Sequence, residues 1–237
     1  MTHADIITKF LIEYDKANIT SSYPSLTDYE IATVLDKAYL SLIAQKVTGT
    51  NPRQVAFEGD IKAIEDVRPL IKREKIKVEQ NDLYTASNEY TYTIPEDMLY
   101  FVDGYVKLLG KSRALDKSAH IGQSVVLMPH SVAQKYRATS TNMPWIKEPI
   151  LSIEDNRMYI LIDQYAYSKT MGTLDFTLIY IHKPKKFIEG DTITKDTQFE
   201  LTDSMAEELI NLAIIMSLEI VESTRLESKT KTSVLES

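Results

Sequence analysis

Between Leu209 and Val221, ten of thirteen residues are apolar, and this stretch constrains the fold more than any other. At helical spacing it carries two apolar stripes. One is Met205, Leu209, Leu212, Ala213, Met216 and Ile220; the other is Ile210, Ile214, Leu218 and Val221. A surface helix needs only one such stripe. A helix apolar on both sides must be covered on both sides, because soluble monomers rarely leave so large a patch bare. Burying ten such side chains stabilises by roughly 15–30 kcal/mol gross, as an upper bound. Two arrangements satisfy the demand. In the first, one side packs on the N-terminal helices and the other on a sheet, all within one chain. In the second, one side meets a neighbouring subunit. The interface residues in that case are Met205, Leu209, Ile210, Ile214, Leu218, Val221, Arg225 and Leu226. The stretch is too short, and too interrupted by Asn211, Ser217 and Glu219, to span a bilayer.

The N-terminal third also reads as helical. Ile6, Ile7, Phe10, Leu11 and Tyr14 share one face of a helix from about Ala4 to Lys16. The stretch Ser21–Ser25, with Pro24, ends it. Thr27 and Glu30 make a capping box, in which hydroxyl and carboxylate satisfy free amides at a helix start. Leu26 can staple onto Ile31. Ile31, Val34, Leu35, Ala38, Leu42 and Ile43 form the buried stripe, and Gly49 is the stop. Asn51 and Pro52 open a third helix that runs to about Val67, with Ile61, Ile64 and Val67 facing the core and Pro69 ending or kinking it. At the other end of the chain, Ser204 and Glu207 predict a second capping box. Acids at its start and Arg225 and Lys229 at its finish suit the helix dipole.

The middle of the chain changes period from helical to alternating. Ile76 and Val78, then Tyr90, Tyr92 and Ile94, alternate with polar residues as strands do. Further strands are predicted near Tyr100–Leu109, Ile121–Met128, Ile150–Ile153, Met158–Ile162 and Leu174–Ile181. Asp155-Asn156 suits a tight hairpin, because both residues tolerate a left-handed backbone. A short helix is predicted over Ser131–Arg137. Helices, then strands, then a helix argue for an α+β fold. The N-terminal helices and the long C-terminal helix form a helical layer, with a central, mostly antiparallel β domain. The expected division is 1–75 with 201–227 as the helical domain, 76–200 as the β-rich domain, and 228–237 as a C-terminal tail.

The chemistry of the side chains points away from catalysis. Cysteine is absent, which excludes disulfides and thiolate metal sites. The four histidines, His3, His120, His130 and His182, stand in no metal-binding spacing. No G-x-S-x-G elbow and no glycine-rich phosphate loop is present. Glu65-Asp66 reads as a solvated helix face. No catalytic residue, cofactor or metal site is therefore expected. The net charge of −7 gives no overall field for nucleic acid. Lys183, Lys185 and Lys186 read as a solvated loop. Tyr84, Tyr90, Tyr92, Tyr100 and Tyr105 stand among acids rather than bases, so they read as sheet or interface packing rather than a base-stacking platform. Trp145, the single tryptophan, reads as an anchor against the β segment or an interface contact. Met1–Lys9 carry no basic stretch followed by an apolar one, so no signal peptide is visible.

Three stretches, in order, resemble the head–tail connector proteins of tailed phages: the adaptor or tail tubular proteins of short-tailed phages and the ring proteins of crAss-like phages. They are the helical Thr27–Val47 with Pro52–Leu70; the β run Ile150–Pro184, above all Leu178-Ile179-Tyr180-Ile181-His182-Lys183-Pro184; and Phe199-Glu200-Leu201 leading into Glu207–Ile210, Glu219-Ile220 and Ser223–Leu226. Family members tend to end that strand in tyrosine, a basic residue and proline. The resemblance implies a non-enzymatic virion protein, assembled in the host cytoplasm, whose copies form a neck ring, usually of twelve. The ring would bind the portal and further ring or tail proteins, without a membrane, and extend the DNA channel. DNA would pass through an acidic lumen without specific binding. The other reading is a monomeric or small-oligomer cytosolic adaptor that binds a protein partner and has no catalysis.

Overall fold

A computed structural model of the chain describes residues 1–17, 26–49, 61–76, 89–107, 122–137, 144–145, 148–162 and 175–220. The fold is α+β, and the chain divides into two compact units. One is Met1–Leu70 together with the residues from Pro184 onward; the other is Ile71–Lys183. The observed boundaries therefore fall at 71 and 184, where the sequence suggested 76 and 201.

In the first unit, α1 spans His3–Ala17, α2 spans Asp28–Thr48, and a short α3, Ile61–Val67, runs into a 3-10 turn at Arg68–Leu70. The expected start of α3, from Pro52, lies outside the described residues. The capping box of α2 forms as written: the Thr27 side chain accepts from the Glu30 amide, and the Glu30 carboxylate accepts from the Thr27 amide at 2.8 Å. Gly49 ends the helix at φ 75°, a left-handed conformation that glycine adopts without steric cost. The last helix, α5, spans Asp203–Ile220. Its cap is Thr202 rather than Ser204. The Thr202 hydroxyl accepts the Met205 amide at 3.4 Å, and its carbonyl accepts the Ala206 amide at 3.1 Å. Ser204 thus belongs to the first turn. Helix α5 packs against α2 and α1.

A hairpin of two-residue strands, β9 (Ile188–Glu189) and β10 (Thr192–Ile193), belongs to this helical unit and packs on α2. Asp36 of α2 anchors it by accepting the backbone N–H of Phe187 at 2.7 Å and of Ile188 at 3.3 Å. Burial pushes the Asp36 carboxyl above its usual range; the two amides and Lys186 pull it back only in part.

The second unit holds two four-stranded sheets. Strands β1 (Ile71–Ile76), β8 (Asp175–His182), β3 (Met98–Lys107) and β4 (Gly122–Ser124) form one, in that order. Strands β2 (Glu89–Thr93), β7 (Arg157–Leu161), β6 (Ile150–Glu154) and β5 (Val126–Leu127) form the other. All pairings are antiparallel except β5 with β6. The chain changes sheets across a single residue, Val125. The Val125 N–H donates to the Gly104 carbonyl at 2.8 Å, and the next N–H donates to Pro149 at 2.7 Å. The β6–β7 turn carries Asp155 at φ 53°. Tyr92, Val106, Leu151, Met158, Ile160, Phe176, Leu178 and Tyr180 are buried in the core of this unit. A short helix, α4 (His130–Arg137), covers the opposite face of β6 and β7, with Ala133 packed among Ile150 and Leu161. Strand β1 starts five residues before the alternating stretch that first suggested it. Its four central residues, Lys72–Lys75, are exposed and charged, as suits a strand at a sheet edge.

Candidate functional site

The sequence left open whether α5 is covered within its own chain or offers a face to a neighbour, and most of the candidate face lies inside the chain. Met205, Leu209, Ile210 and Ile214 are fully buried, and Leu218 is nearly so. They do not form two opposed stripes. The buried residues come as adjacent pairs four apart: Met205-Ala206, Leu209-Ile210, Ala213-Ile214 and Ser217-Leu218. At 3.6 residues per turn each pair is rotated by about 40° from the last, so the pairs make one broad band winding around the helix. Helices α1 and α2 cover that band. The intramolecular arrangement therefore accounts for these five residues, and they are corrected from interface to core. Val221, Arg225 and Leu226 lie outside the described residues.

A different face of α5 remains partly open. Leu212, Ile215 and Met216 are half-buried, and Ile220 is 65% exposed. Ile12 on α1 is 49% exposed. The β unit has its own exposed apolar residues: Val126 at 40%, Leu127 at 50% and Trp145 at 60%. Trp145 is thus no buried anchor, although it does not stand without contacts.

Charge pins the helices together. Lys46 of α2 stands 3.1 Å from Asp66 and 2.7 Å from Glu208 of α5, and all three side chains are largely buried. Burial would lower the Lys46 ammonium, but Glu208 and Asp66 outweigh it and raise it above its usual value. Asp66 is buried here rather than on a solvated face. Lys9 of α1 pairs with Glu207, so the carboxylate expected in a capping box ties α1 to α5 instead.

A polar cluster of comparable size lies in the β unit. Tyr180 of β8 sits directly opposite Lys72 of β1. Its hydroxyl lies 2.9 Å from Asp97 and 3.0 Å from Glu74, and its single proton serves one of them at a time. The Lys72 ammonium lies 2.9 Å from Asp97 and 5.7 Å from the Tyr180 ring centre. Burial opposes the charge on Asp97, yet hydrogen bonds from Lys72 and Tyr180 hold its carboxyl below the usual range. Lys72 is pushed above its ordinary value by its hydrogen bonds to Asp97 and Tyr180. The sequence reading missed this cluster. Its only local sign is Lys72 and Glu74 on one face of a strand; Asp97 and Tyr180 arrive through pairing. The arrangement joins β1, β8 and the turn before β3. The ammonium of Lys72, the Tyr180 hydroxyl and the two carboxylates are mutually occupied, which suits a structural clasp.

The histidines are dispersed. His3 is buried, His130 stands 3.0 Å from Glu154, and His182 bonds the Lys183 carbonyl at 2.8 Å. His120 lies outside the described residues. Among the described residues no group of three His, Asp or Glu could hold a metal ion, and no helix is long and apolar enough to cross a membrane. Lys183 donates to the Glu96 carbonyl, and Lys185 lies 3.9 Å from Glu200. Tyr92 is buried, while Tyr90, Tyr100 and Tyr105 are half-buried. No family model matches the chain, and no curated protein matches it.

Proposed function

We propose that the chain is a structural ring subunit, a head–tail connector that joins a phage portal to the tail and extends the DNA channel. The partly open apolar strip of α5, Leu212, Ile215, Met216 and Ile220, carries the proposal, because such a strip on a helix calls for a partner. A closed ring needs two unlike surfaces on each copy. The β unit supplies a second apolar set in Val126, Leu127 and Trp145. The resemblance in the three stretches named above supplies the class of assembly and its usual twelve copies. The net charge of −7 suits a channel through which DNA passes without adhering, since affinity for DNA comes from Lys and Arg on phosphates.

Two substitutions on one helix test the reading. Ile220→Asp leaves the subunit folded and abolishes its assembly with the portal, as read by light scattering and circular dichroism. Ile214→Asp places a charge in the buried band and unfolds the helical unit, a loss of about 4 kcal/mol or more. An Ile220→Asp chain that assembles on the portal like the wild type removes the α5 strip from the account.

A further inference from the structure

The first four residues are docked along the segment that precedes α5. Thr2 bridges Gln198 in antiparallel fashion. The His3 N–H donates to Thr197 at 2.9 Å, the Ala4 N–H to Lys195 at 3.1 Å, and the Phe199 N–H to Met1 at 3.0 Å. At the centre of this contact His3 is 1% exposed, and its ring stacks on Phe187 at 4.0 Å between centres. Its Nδ1 lies 2.9 Å from the Thr194 hydroxyl. That hydroxyl has one proton, and its acceptors are the Lys186 carbonyl at 2.7 Å and the Phe187 carbonyl at 3.2 Å. With its proton on a carbonyl it accepts from His3, and the neutral ring then carries its proton on Nδ1. A second proton must enter at Nε2, on a ring almost wholly shielded from water.

We infer that Met1–Ala4 form a proton-operated latch, closed on residues 186–199 while His3 is neutral and released when its ring becomes charged. Release would free the carbonyls of Lys195 and Thr197 and uncover one side of Phe187, which is fully buried when the latch is closed. Burial lowers the His3 pKa from 6.5; a hydrogen bond with the Thr194 backbone and the charge of Glu200 oppose this, and Lys185 adds to it. A lowered histidine pKa means that the open state binds more protons in the window below 6.5. The latch is thus strongest above that window and weakens as pH falls through it.

The other charged groups around the latch do not give this behaviour. The Asp36 carboxyl, which holds Phe187 from α2, is raised, so acid favours its native state just above its ordinary range. Asp5, held below its ordinary value by the Thr2 backbone and side chain, weakens the latch only in the carboxylate range. The ammonium of Met1 lies 3.2 Å from exposed Asp203, a pair of small energetic weight.

Amide hydrogen exchange on the full chain at about pH 7 and about pH 5.5 reads the latch, since the interval brackets a histidine and avoids most carboxylates. Protection of the His3, Ala4 and Phe199 amides should fall severalfold across that interval, while Leu35 in α2 holds its protection. His3→Phe retains an aromatic ring against Phe187 and should abolish the pH dependence. NMR of the wild-type His3 ring is the second measurement, and its titration should fall below 6.5. Equal pH dependence in wild type and His3→Phe overturns the proposal, as does flat protection in the wild type. A His3 ring that titrates at or above 6.5 overturns it too.

Discussion

Gly104 shows how little slack the β core has. A Cβ built there would lie 2.8 Å from the Phe176 ring and 3.2 Å from Val125. Phe176 is fully buried and Val125 is the residue at which the chain changes sheets, so neither has free space to move into. Gly104→Ala should therefore destabilise the β unit by about 1–3 kcal/mol in urea unfolding, the usual cost of overpacking. Tyr180 belongs to the same unit and makes a pH prediction. Burial, aided by its contacts with Asp97 and Glu74 and opposed by Lys72, pushes its phenol up to about 12 from 10. The native state then holds the proton that the unfolded state releases. This contribution is complete below pH 10 and is lost as pH rises towards about 12. Tyr180→Phe should remove that part of the alkaline decline in thermal stability, a difference read by melting both proteins across the interval.

Among the elements, α5 was the easiest to find and the hardest to place. Its apolar density announces a buried helix, but three successive residues, Thr202, Asp203 and Ser204, are of N-cap type, and only Ser204 has a glutamate three residues on. The structure uses Thr202, and Glu207 pairs with Lys9 across the α1–α5 contact instead. Thr202→Ala should cost about 1 kcal/mol and Ser204→Ala close to nothing in thermal unfolding. Where a signal is local and complete, the sequence reading holds, as with Thr27, Glu30 and Gly49 bounding α2 or Asp155 turning β6 into β7. Strand β1 was placed late because its edge position replaces alternation with a run of charge. The β9–β10 hairpin was missed because two-residue strands have no period to read, leaving only the turn pair Gly190-Asp191, with Gly190 at φ 62°, as a cue. The two apolar stripes of α5 suggested two separate partners. Pairs of buried residues four apart instead make one winding band, and a single chain can cover it with α1 and α2.

For the whole molecule, the α+β division into a helical unit built from both ends of the chain and a β unit between them was legible from the change of period. The charged clasps were not, because Lys46, Asp66 and Glu208, or Lys72, Asp97 and Tyr180, meet only when the fold brings distant segments together. The same applies to the ring proposal: five of the residues that suggested it, Met205, Leu209, Ile210, Ile214 and Leu218, are core, and the proposal now rests on a smaller strip ending at Ile220. Ile214→Asp and Ile220→Asp, six residues apart on one helix, should thus separate folding from assembly. Electron microscopy of the full chain mixed with a portal examines the central claim most directly. The account predicts closed rings of many copies seated on the portal; chains that remain single and leave the portal bare would contradict it.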